Sequence, residues 1–344
     1  MRSGGIAVCV IPGDGIGPEV TACACRVLAG LEKTPGGPSF DFDLHPAGHG
    51  TYVETGDAFP HATLEAARRA DGVLVGAMDV AQMPAGTPSP LQLLRQRLGV
   101  AASIRRSRTY PGMAAPLGEL DTLVVREVTE GLYSGIEYKT GEDAACAVRL
   151  ITKEASAGAA RVAFQAAARR SRKVTAVHKL GALKITDSVF LNAAEEIGEE
   201  FPEVTFETKN VDACAFEMVR EPEEFDVILA TNAFGDILSD VAAGLTGGLG
   251  LAPSGCVGPR WSYFEPVHGS APDIAGQGIA NPLATILSAA LLLHHLGEKT
   301  SALAIERAVA DVLAAGAPRT PDLGGDATST EITDAVIQAM TAQS

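Results

Sequence analysis

The chain has 344 residues, of which 46% are hydrophobic and 20% are charged, so it is long enough for two ordinary domains and can bury a substantial core. Its formal net charge of −15 at pH 7 disfavours nucleic acids and anionic membranes as partners, because both require a cationic protein surface. No apolar run approaches the roughly 20 residues that span a bilayer, and the first residues lead into a strand pattern without a cleavable apolar segment.

The predicted elements alternate between strands and helices. The run IAVCVI at 6–11 predicts a strand. The helix predicted after it has one apolar face, formed by Val20, Cys23, Val27, Leu28 and Leu31. Further elements follow in order: strands at 71–77 and 120–127, a helix at 154–170, a strand at 173–179, a helix at 187–200, a strand at 225–231 and a helix at 235–243. This alternation predicts an α/β fold with much of its sheet parallel.

Two compositional features bear on organisation and compartment. The glycine-rich segment 244–255 is the clearest break in composition, and it marks a candidate passage between domains. Six cysteines are scattered through the chain, and no second cysteine pair or nearby histidine completes a zinc site around Cys23 and Cys25. We therefore expect buried, reduced thiols in a soluble cytoplasmic protein.

The glycines of IPGDGIGPEV resemble a dinucleotide fingerprint without matching it. A Rossmann fingerprint reads G-x-G-x-x-G, whereas here Gly17 arrives one position early and Pro18 follows it. Proline suits the first turn of a helix, where no amide donor is needed. The segment therefore predicts a tight turn and a helix start, but not a Rossmann site.

Five sequence blocks stand together in one order: IPGDGIGPEV, REVTEGLYSG, NAFGDILSDVAAGLTGGLGLAPSG, EPVHGSAPDIAGQGIANP and RTPDLGGDAT. From end to end, the chain resembles the β-decarboxylating dehydrogenase family of isocitrate, homoisocitrate and 3-isopropylmalate dehydrogenases. The resemblance implies a non-Rossmann fold of two α/β domains with the active cleft between them. Residues 1–99 and 252–344 would form the large cofactor-binding domain, and residues 100–251 the small domain with the metal ligands and the interface of a homodimer that shares its active sites.

The resemblance assigns the substrate clamp and the metal site. Family substrates are substituted malates, and Arg95, Arg105 and Arg126 match the family's malate clamp. Guanidinium groups pair with carboxylates in a bidentate manner, although any one arginine alone is more simply interpreted as solvated surface charge. The predicted metal ligands are Asp236 and Asp240, four residues apart on one helix face, and Asp212, which the family contributes across the dimer interface. Oxygen ligands favour Mg²⁺ or Mn²⁺; the alternative role for these acids is stabilisation of a helix dipole.

The proton-handling and cofactor residues follow from the same resemblance. Tyr133 and Lys179 match the family's proton-handling pair, with Lys179 expected from the neighbouring subunit. The residues predicted to bind the cofactor are Ile16, His268, Gly269, Ser270, Ala271, Asp273 and Asn281. A carboxylate at Asp273 can accept both ribose hydroxyls and would repel a 2′-phosphate, so NAD is favoured over NADP. Asp322 and Asp326 are interpreted as structural or peripheral to this loop.

The identity of the third substituent of the malate is the open question. Ser89 stands six residues before Arg95, where isocitrate enzymes place a serine, whereas Leu91 resembles the apolar floor of isopropylmalate enzymes and Gln92 is polar. Arg106 and Arg108 are either surface charge or partners of a more highly charged substituent, even a phosphonate.

The sequence also departs from the family pattern at Gly181, where an asparagine is usual, and around Arg105, which a proline usually follows. We expect a polar or anionic substituent, of the homoisocitrate or isocitrate type. The alternatives are 3-isopropylmalate, D-malate or tartrate as substrate, and a regulatory subunit of an NAD-dependent isocitrate dehydrogenase. The presence of all the predicted metal and proton-handling residues disfavours the regulatory subunit.

Overall fold

The computed structural model describes residues 5–84, 86–115 and 117–342. The outermost ends of the predicted large domain, residues 1–4 and 343–344, lie outside the described residues. The strands are β1 Ile6–Ile11, β2 Phe40–Leu44, β3 Gly72–Val75, β4 Ala102–Arg108, β5 Asp121–Glu127, β6 Glu137–Lys139, β7 Ala145–Ala147, β8 Lys173–His178, β9 Thr205–Asn210, β10 Val227–Ala230, β11 Pro253–Val257 and β12 Tyr263–Pro266. The helices are α1 Gly17–Leu31, α2 His49–Thr55, α3 His61–Arg69, α4 Pro90–Leu98, α5 Lys153–Ala167, α6 Lys184–Gly198, α7 Val211–Arg220, α8 Asn232–Leu245, α9 Leu283–Leu296, α10 Lys299–Ala315 and α11 Ser329–Ala342.

Ten of the strands form one mixed sheet in the order β2-β1-β3-β12-β11-β4-β5-β10-β8-β9. Neighbouring strands are parallel from β2 to β12 and again from β5 to β9. The two parallel halves are joined in the middle by β11 and β4, which pair antiparallel with each other and with their outer neighbours. The predicted α/β class is confirmed, and the antiparallel centre makes the sheet mixed.

Helices cover both faces of the sheet. In the half that contains β1, one face packs against α1, α9, α10 and α11, and the other packs against α3 and α4. In the half that contains β10, one face packs against α5 and α6, and the other packs against α7 and α8. All five residues predicted on the apolar face of α1 are buried. The division of the chain at residues 99 and 252 stays a prediction. Most members of each apolar cluster come from one side of it, but Tyr110, Val100 and Val128 of the predicted small domain pack in clusters of the predicted large domain.

The glycine turn before α1 packs closely against the backbone of two other segments of the chain. Gly13 and Gly15 both have positive φ, and a Cβ at Gly13 would lie 2.0 Å from the carbonyl oxygen of Ala77. A Cβ at Gly15 would lie 2.0 Å from the carbonyl oxygen of Ser270. Glycine is therefore required at both positions, because the chain's own backbone fills the space where a side chain would lie. This close approach brings the turn against the predicted cofactor loop.

The cysteines only partly follow the expectation from sequence. Cys9, Cys23, Cys214 and Cys256 are buried, whereas Cys146 is exposed on β7, and all six are free. Burial raises the pKa of Cys9 and of Cys214 to about 12, so both thiols stay protonated at neutral pH. Among the described residues, no helix is both long enough and apolar enough to cross a membrane.

Candidate active site

Two neighbouring strands and one helix form the centre of the candidate site. Arg105 lies on β4 and Arg126 on β5, and only 6% and 2% of their surfaces are exposed. Both guanidinium groups meet the carboxylate of Asp236 on α8: Arg105 Nη1 lies 3.0 Å from Asp236 Oδ1, and Arg126 Nη1 contacts the same oxygen. Arg105 Nη1 also donates to Ser239 Oγ at 2.8 Å. The structure thus brings together three of the residues predicted from the sequence.

Gly235 allows α8 to approach β5 closely. A Cβ at this position would lie 2.8 Å from Arg126 Cβ and 2.9 Å from Arg126 Cγ, closer than carbon atoms pack. Asn232 lies about one helical turn before Gly235 on α8. Its Oδ1 accepts hydrogen bonds from Arg126 Nε at 3.0 Å and from Arg126 Nη2 at 2.6 Å. Asn232 Nδ2 in turn donates to the carbonyl oxygen of Glu130 at 2.8 Å.

Asn232 orients the guanidinium of Arg126, one of the predicted substrate-clamp residues, and was not predicted from the sequence. The available signal was its position in the block NAFGDILSD, four residues before Asp236 and so on the same helix face. Ser239, which accepts a hydrogen bond from Arg105, was also not predicted, because a serine within a helix has no distinctive pattern in the sequence. Both residues are buried, at 1% and 2% exposure.

The electrostatics of the clamp favour an anionic ligand. Burial and the neighbouring charges of Arg105 and Arg95 together lower the pKa of Arg126 from 12.5 to about 9. Within the described part of the chain, the buried Arg105 Nε has no hydrogen-bond partner. A carboxylate bound here would therefore both supply a missing acceptor and relieve repulsion among the cations.

Arg95 is near this centre but is held from the other half of the sheet. It lies on α4, its Nε donates to Tyr263 OH at 3.2 Å, and its Nη2 lies 3.6 Å from Glu265 Oε1. Tyr263 and Glu265 belong to β12, and both are buried. The position of Arg95 in a two-part clamp is compatible with the sequence prediction, and its contact with substrate stays a prediction.

Asp236 and Asp240 lie on the same face of α8, as predicted. Tyr133 OH donates to Asp236 Oδ2 at 3.2 Å, while Asp240 Oδ1 lies 3.9 Å from Arg105 Nη1. Burial and the neighbouring Asp236 carboxylate raise the pKa of Asp240 above its ordinary value. Two neighbouring carboxylates, which offer oxygen donors only, fit a hard divalent cation.

The third predicted ligand is elsewhere in the same subunit. Asp212, on α7, lies 2.6 Å from Lys179 Nζ through its Oδ1, and both side chains are substantially exposed. The ion pair with Lys179 lowers the pKa of Asp212. Accordingly, no group of three or more His, Cys, Asp and Glu side chains in the described ranges is arranged to hold a metal. That Asp212 and Lys179 complete the site of a neighbouring subunit stays a prediction.

Six of the seven predicted cofactor residues lie in the loop between β12 and α9, and the seventh, Ile16, contacts that loop from the turn before α1. Ile16 N donates to the carbonyl oxygen of Ser270 at 2.8 Å, and this bond fixes the opening turn to the loop. Ala271 has a φ of 39°, a left-handed value that is unusual for a residue with a side chain. Burial lowers the pKa of His268, which keeps its imidazole neutral at neutral pH. Asp273 and Gly269 are exposed at the surface of the loop.

The far end of the loop is anchored by a polar contact. Asn281 Nδ2 donates to Asp322 Oδ2 at 2.9 Å, and Thr320 donates to the other oxygen of that carboxylate at 2.6 Å. A Cβ at Gly250 would lie 2.5 Å from the same carboxylate, so the glycine-rich segment packs directly on this contact. Asp322 is engaged as the structural interpretation requires, and Asp326 is exposed nearby.

The segment predicted to contact the third substituent of the malate forms the start of α4 and lies beside Tyr133. Ser89 precedes α4 as its N-cap residue, and Leu91 packs partly buried against the apolar cluster beneath the helix. Gln92 Nε2 donates to the carbonyl oxygen of Tyr133 at 2.9 Å. The polar residue of this segment therefore faces the loop that carries the predicted proton donor, while the apolar residue contributes to packing.

Arg106 and Arg108 do not support the phosphonate alternative. Successive residues of a strand point to opposite faces, so both point away from Arg105. Arg106 pairs with both oxygens of Asp121, at 3.1 and 2.8 Å, and the Arg108 guanidinium lies 4.5 Å from the ring centroid of Tyr110. The two arginines are structural partners on the back of the sheet. At Gly181 a Cβ would meet no atom within 4 Å, so the missing asparagine leaves open space.

Comparisons with known proteins agree with this architecture. A model of the isocitrate/isopropylmalate dehydrogenase family matches residues 7–336. The chain is 46% identical to an isocitrate/homoisocitrate dehydrogenase of Thermus thermophilus, covering 97% of this chain and 98% of that protein. It is 44% identical to a 3-isopropylmalate dehydrogenase of Archaeoglobus fulgidus, covering 96% of this chain and 98% of that protein.

A solved structure gives the same result for the fold. The crystal structure of isocitrate dehydrogenase from Methylococcus capsulatus superposes with a TM-score of 0.92 at 39% sequence identity, and the match covers 97% of this chain and 99% of that chain. The resemblance noted from the five sequence blocks is confirmed, and with it the predicted fold. The chain belongs to the isocitrate/isopropylmalate dehydrogenase family.

Proposed function

We propose that this chain catalyses the metal-dependent, NAD-linked oxidative decarboxylation of a 3-substituted (2R)-malate with a polar or anionic substituent. The observation that carries the proposal is the cluster in which the buried Arg105 and Arg126 meet Asp236, which in turn accepts a hydrogen bond from the more exposed Tyr133. Two guanidinium groups beside one proton donor and one carboxylate provide the groups needed to bind a dicarboxylate and to act on it.

The residues of the chain have distinct roles in this reaction. Arg105 and Arg126 bind the carboxylates and orient the substrate over β4 and β5. Lys179, as the neutral amine, would accept the proton of the C2 hydroxyl, and NAD⁺, when bound, would supply the acceptor for the C2 hydride. The bond from C3 to its carboxylate then breaks and CO₂ leaves. Tyr133 protonates C3; its pKa is raised by burial and by the Asp236 carboxylate, so the phenol holds its proton at neutral pH.

The carboxylates of Asp236 and Asp240, with Asp212 of the partner subunit, would hold Mg²⁺ or Mn²⁺. When bound, such a cation supplies Lewis-acid stabilisation of the negative charge that develops as CO₂ leaves. The loop from His268 to Asn281 would hold NAD, with Asp273 available at its surface to accept the ribose hydroxyls.

The proposed assembly is a homodimer that shares its active sites. Large apolar side chains are exposed on the part of the chain between residues 132 and 237. They include Ile136, Tyr138, Leu150, Ile185, Phe216 and Ile237, with exposures of 44–83%. The number of large exposed apolar side chains in this part of the chain supports its burial in an interface. Six free cysteines fit a reducing compartment, and we propose the cytoplasm as the location.

Gln92 supports a polar substituent over isopropyl. Its Nε2 donates to the carbonyl oxygen of Tyr133 at 2.9 Å, and a glutamine amide also carries a second N–H and an acceptor oxygen. A polar or anionic substituent can pair with these groups, whereas an isopropyl group cannot. The chief alternative is 3-isopropylmalate, because relatives with that printed activity are as similar as 44% in sequence.

A substrate screen tests the proposal. Purified protein with Mg²⁺ and either NAD⁺ or NADP⁺ is offered isocitrate, homoisocitrate, 3-isopropylmalate, D-malate and tartrate, and nicotinamide reduction is followed by absorbance. We expect turnover of homoisocitrate or isocitrate with NAD⁺, and loss of turnover with a chelator. If 3-isopropylmalate is turned over fastest, the proposed polar or anionic substituent is wrong. If none of the five substrates is turned over, the proposed reaction is wrong.

A further inference from the structure

A buried ion pair lies behind the loop that carries Lys179. Asp187 stands in the first turn of α6 and is fully buried, while Arg149 precedes α5 with 12% of its side chain exposed. Arg149 Nη2 lies 2.7 Å from Asp187 Oδ1. An ionised carboxylate at this depth is compatible with folding only when a cation and hydrogen bonds compensate the loss of water.

The other oxygen of Asp187 fixes the Lys179 backbone. Asp187 Oδ2 accepts a hydrogen bond from Lys179 N at 2.5 Å. The chain then turns, with Leu183 N donating to the Lys179 carbonyl at 2.8 Å before α6 begins. The amide and the carbonyl of Lys179 are therefore both held by hydrogen bonds at the point where the chain leaves β8. Its Nζ reaches Asp212 from that fixed starting point.

Arg149 connects the same carboxylate to the helix that carries the predicted metal ligands. Its Nη1 donates to Thr186 Oγ1 at 2.5 Å, and its Nη2 donates to Thr231 Oγ1 at 3.2 Å. Thr231 is the residue immediately before α8, and the Arg149 guanidinium also lies 5.5 Å from the ring centroid of Phe234 on α8. One side chain therefore contacts both the first turn of α6 and the start of α8.

We propose that Arg149 and Asp187 are a positioning pair that sets the direction of Lys179 and locks its loop to the start of α8. This inference rests on the proposed function, in which Lys179 accepts the substrate's proton. If Lys179 serves the site of the partner subunit, the pair also joins the two sites of the dimer, because α8 belongs to the site of its own subunit. In the described part of the chain, Arg149 and Asp187 form no hydrogen bond or ion pair with Arg105 or Arg126, so loss of the pair should lower kcat more than it raises KM.

The test compares Asp187→Asn and Arg149→Met with Glu196→Gln as the matched control. Glu196 lies on the same helix, α6, in an exposed ion pair with Lys153, so its loss should change neither activity nor the Lys179 loop. In the two test variants we expect kcat to fall by roughly tenfold to a hundredfold, because a displacement of about 1 Å of a reacting group has that effect. We expect KM to change by less than about threefold. Arg149→Lys, which keeps the charge, should recover part of the kcat loss.

A second measurement does not depend on activity. The Lys179 amide is protected by the Asp187 carboxylate, so hydrogen exchange in the peptide that covers residues 179–183 should accelerate in Asp187→Asn and Arg149→Met but not in Glu196→Gln. Unchanged exchange, or a lower melting temperature with an unchanged kcat, would overturn the inference. A Lys179→Met variant separates the two failures: if it is as active as the natural chain, the proposed function is wrong about Lys179, whereas an inactive Lys179→Met beside a fully active Asp187→Asn contradicts only the positioning pair.

Discussion

Replacing Gly235 by alanine should damage the substrate clamp through one added methyl group. That carbon would lie 2.8 and 2.9 Å from Arg126 Cβ and Cγ, whereas carbon atoms pack at about 3.5–4.0 Å. Helix α8 must therefore retreat from β5 by roughly 0.6–1 Å, or the Arg126 side chain must move by the same amount. Either shift lengthens the 3.0 Å bond from Arg126 Nε to Asn232 beyond hydrogen-bond range.

The magnitude follows from three opposing terms. Overpacking costs about 1–3 kcal/mol, and weakening a hydrogen bond to a charged group costs about 1.5–3 kcal/mol when the bond is lost. Alanine in place of glycine favours the helix by about 1 kcal/mol. We expect a net loss of about 1.5–5 kcal/mol, with a melting temperature lower by roughly 2–4 °C per kcal/mol and kcat/KM lower by at least about tenfold.

The matched control is Gly244→Ala. Gly244 lies on the same helix, but a Cβ there would meet no atom within 4 Å, so only the helix propensity changes. This variant should be fully active and more stable by about 0.5–1 kcal/mol. Calorimetry and steady-state kinetics on both variants decide the matter. If Gly235→Ala behaves like Gly244→Ala, the close approach of α8 to β5 is not what orients Arg126.

Three further substitutions test neighbouring parts of the account. Asn232→Ala should raise KM for the substrate by at least about tenfold, because Arg126 loses the acceptor of two of its donors. Asn232→Asp, which keeps an acceptor oxygen, should restore most of the affinity. An unchanged KM of Asn232→Ala in steady-state kinetics would exclude a role of Asn232 in orienting Arg126. Arg106→Gln should leave KM and substrate preference unchanged while lowering stability by about 1 kcal/mol, since Arg106 pairs with Asp121 on the back of the sheet; an altered substrate preference would return it to the site. Asp121→Asn should lose stability only where the natural carboxylate is ionised. Burial alone would raise the pKa of Asp121, but the neighbouring Arg106 and Arg170 lower it from 3.8 to about 2. The stabilisation is therefore present above pH 3.8 and is lost as the pH falls toward 2. The difference in melting temperature between the natural protein and Asp121→Asn should therefore shrink as the pH falls over that range. The full stabilisation is at most about 1 kcal/mol because Asp121 is half exposed. A difference that grows on acidification would contradict the expected sign.

The sequence predicted the strands that are apolar throughout and overlooked the others. Strands β1, β3, β5, β8 and β10 are buried on both faces and therefore read as continuous apolar runs. In contrast, β4 has the sequence ASIRRSR and β9 has TFETKN, and neither looks apolar. In β4 the polar pattern reflects function and packing, since Arg105 enters the site and Arg106 pairs with Asp121 on the opposite face. Long-range pairing of this kind has no local signature.

The site was predictable where its residues share an element and not where they meet through space. The spacing of Asp236 and Asp240 placed them on one helix face, and both lie there. The contact of Arg126 with Asn232, the ion pair of Arg149 with Asp187 and the amide of Gln92 against the Tyr133 loop join residues that are 38–106 positions apart. Only the folded chain brings them together, and no period or spacing encodes such contacts.

The central claim is that the carboxylates on α8 hold the divalent cation that the reaction needs. Titration of Mn²⁺ into chelator-treated protein, with the free ion followed by electron paramagnetic resonance, measures this directly. Asp240→Asn is the informative variant because Asp240, unlike Asp236, is not the principal partner of the clamp arginines, and the exposed Asp326 supplies the control Asp326→Asn. We predict one Mn²⁺ per subunit, with affinity at least about tenfold weaker in Asp240→Asn and unchanged in Asp326→Asn. Equal Mn²⁺ affinity in the natural protein and in Asp240→Asn would contradict the account.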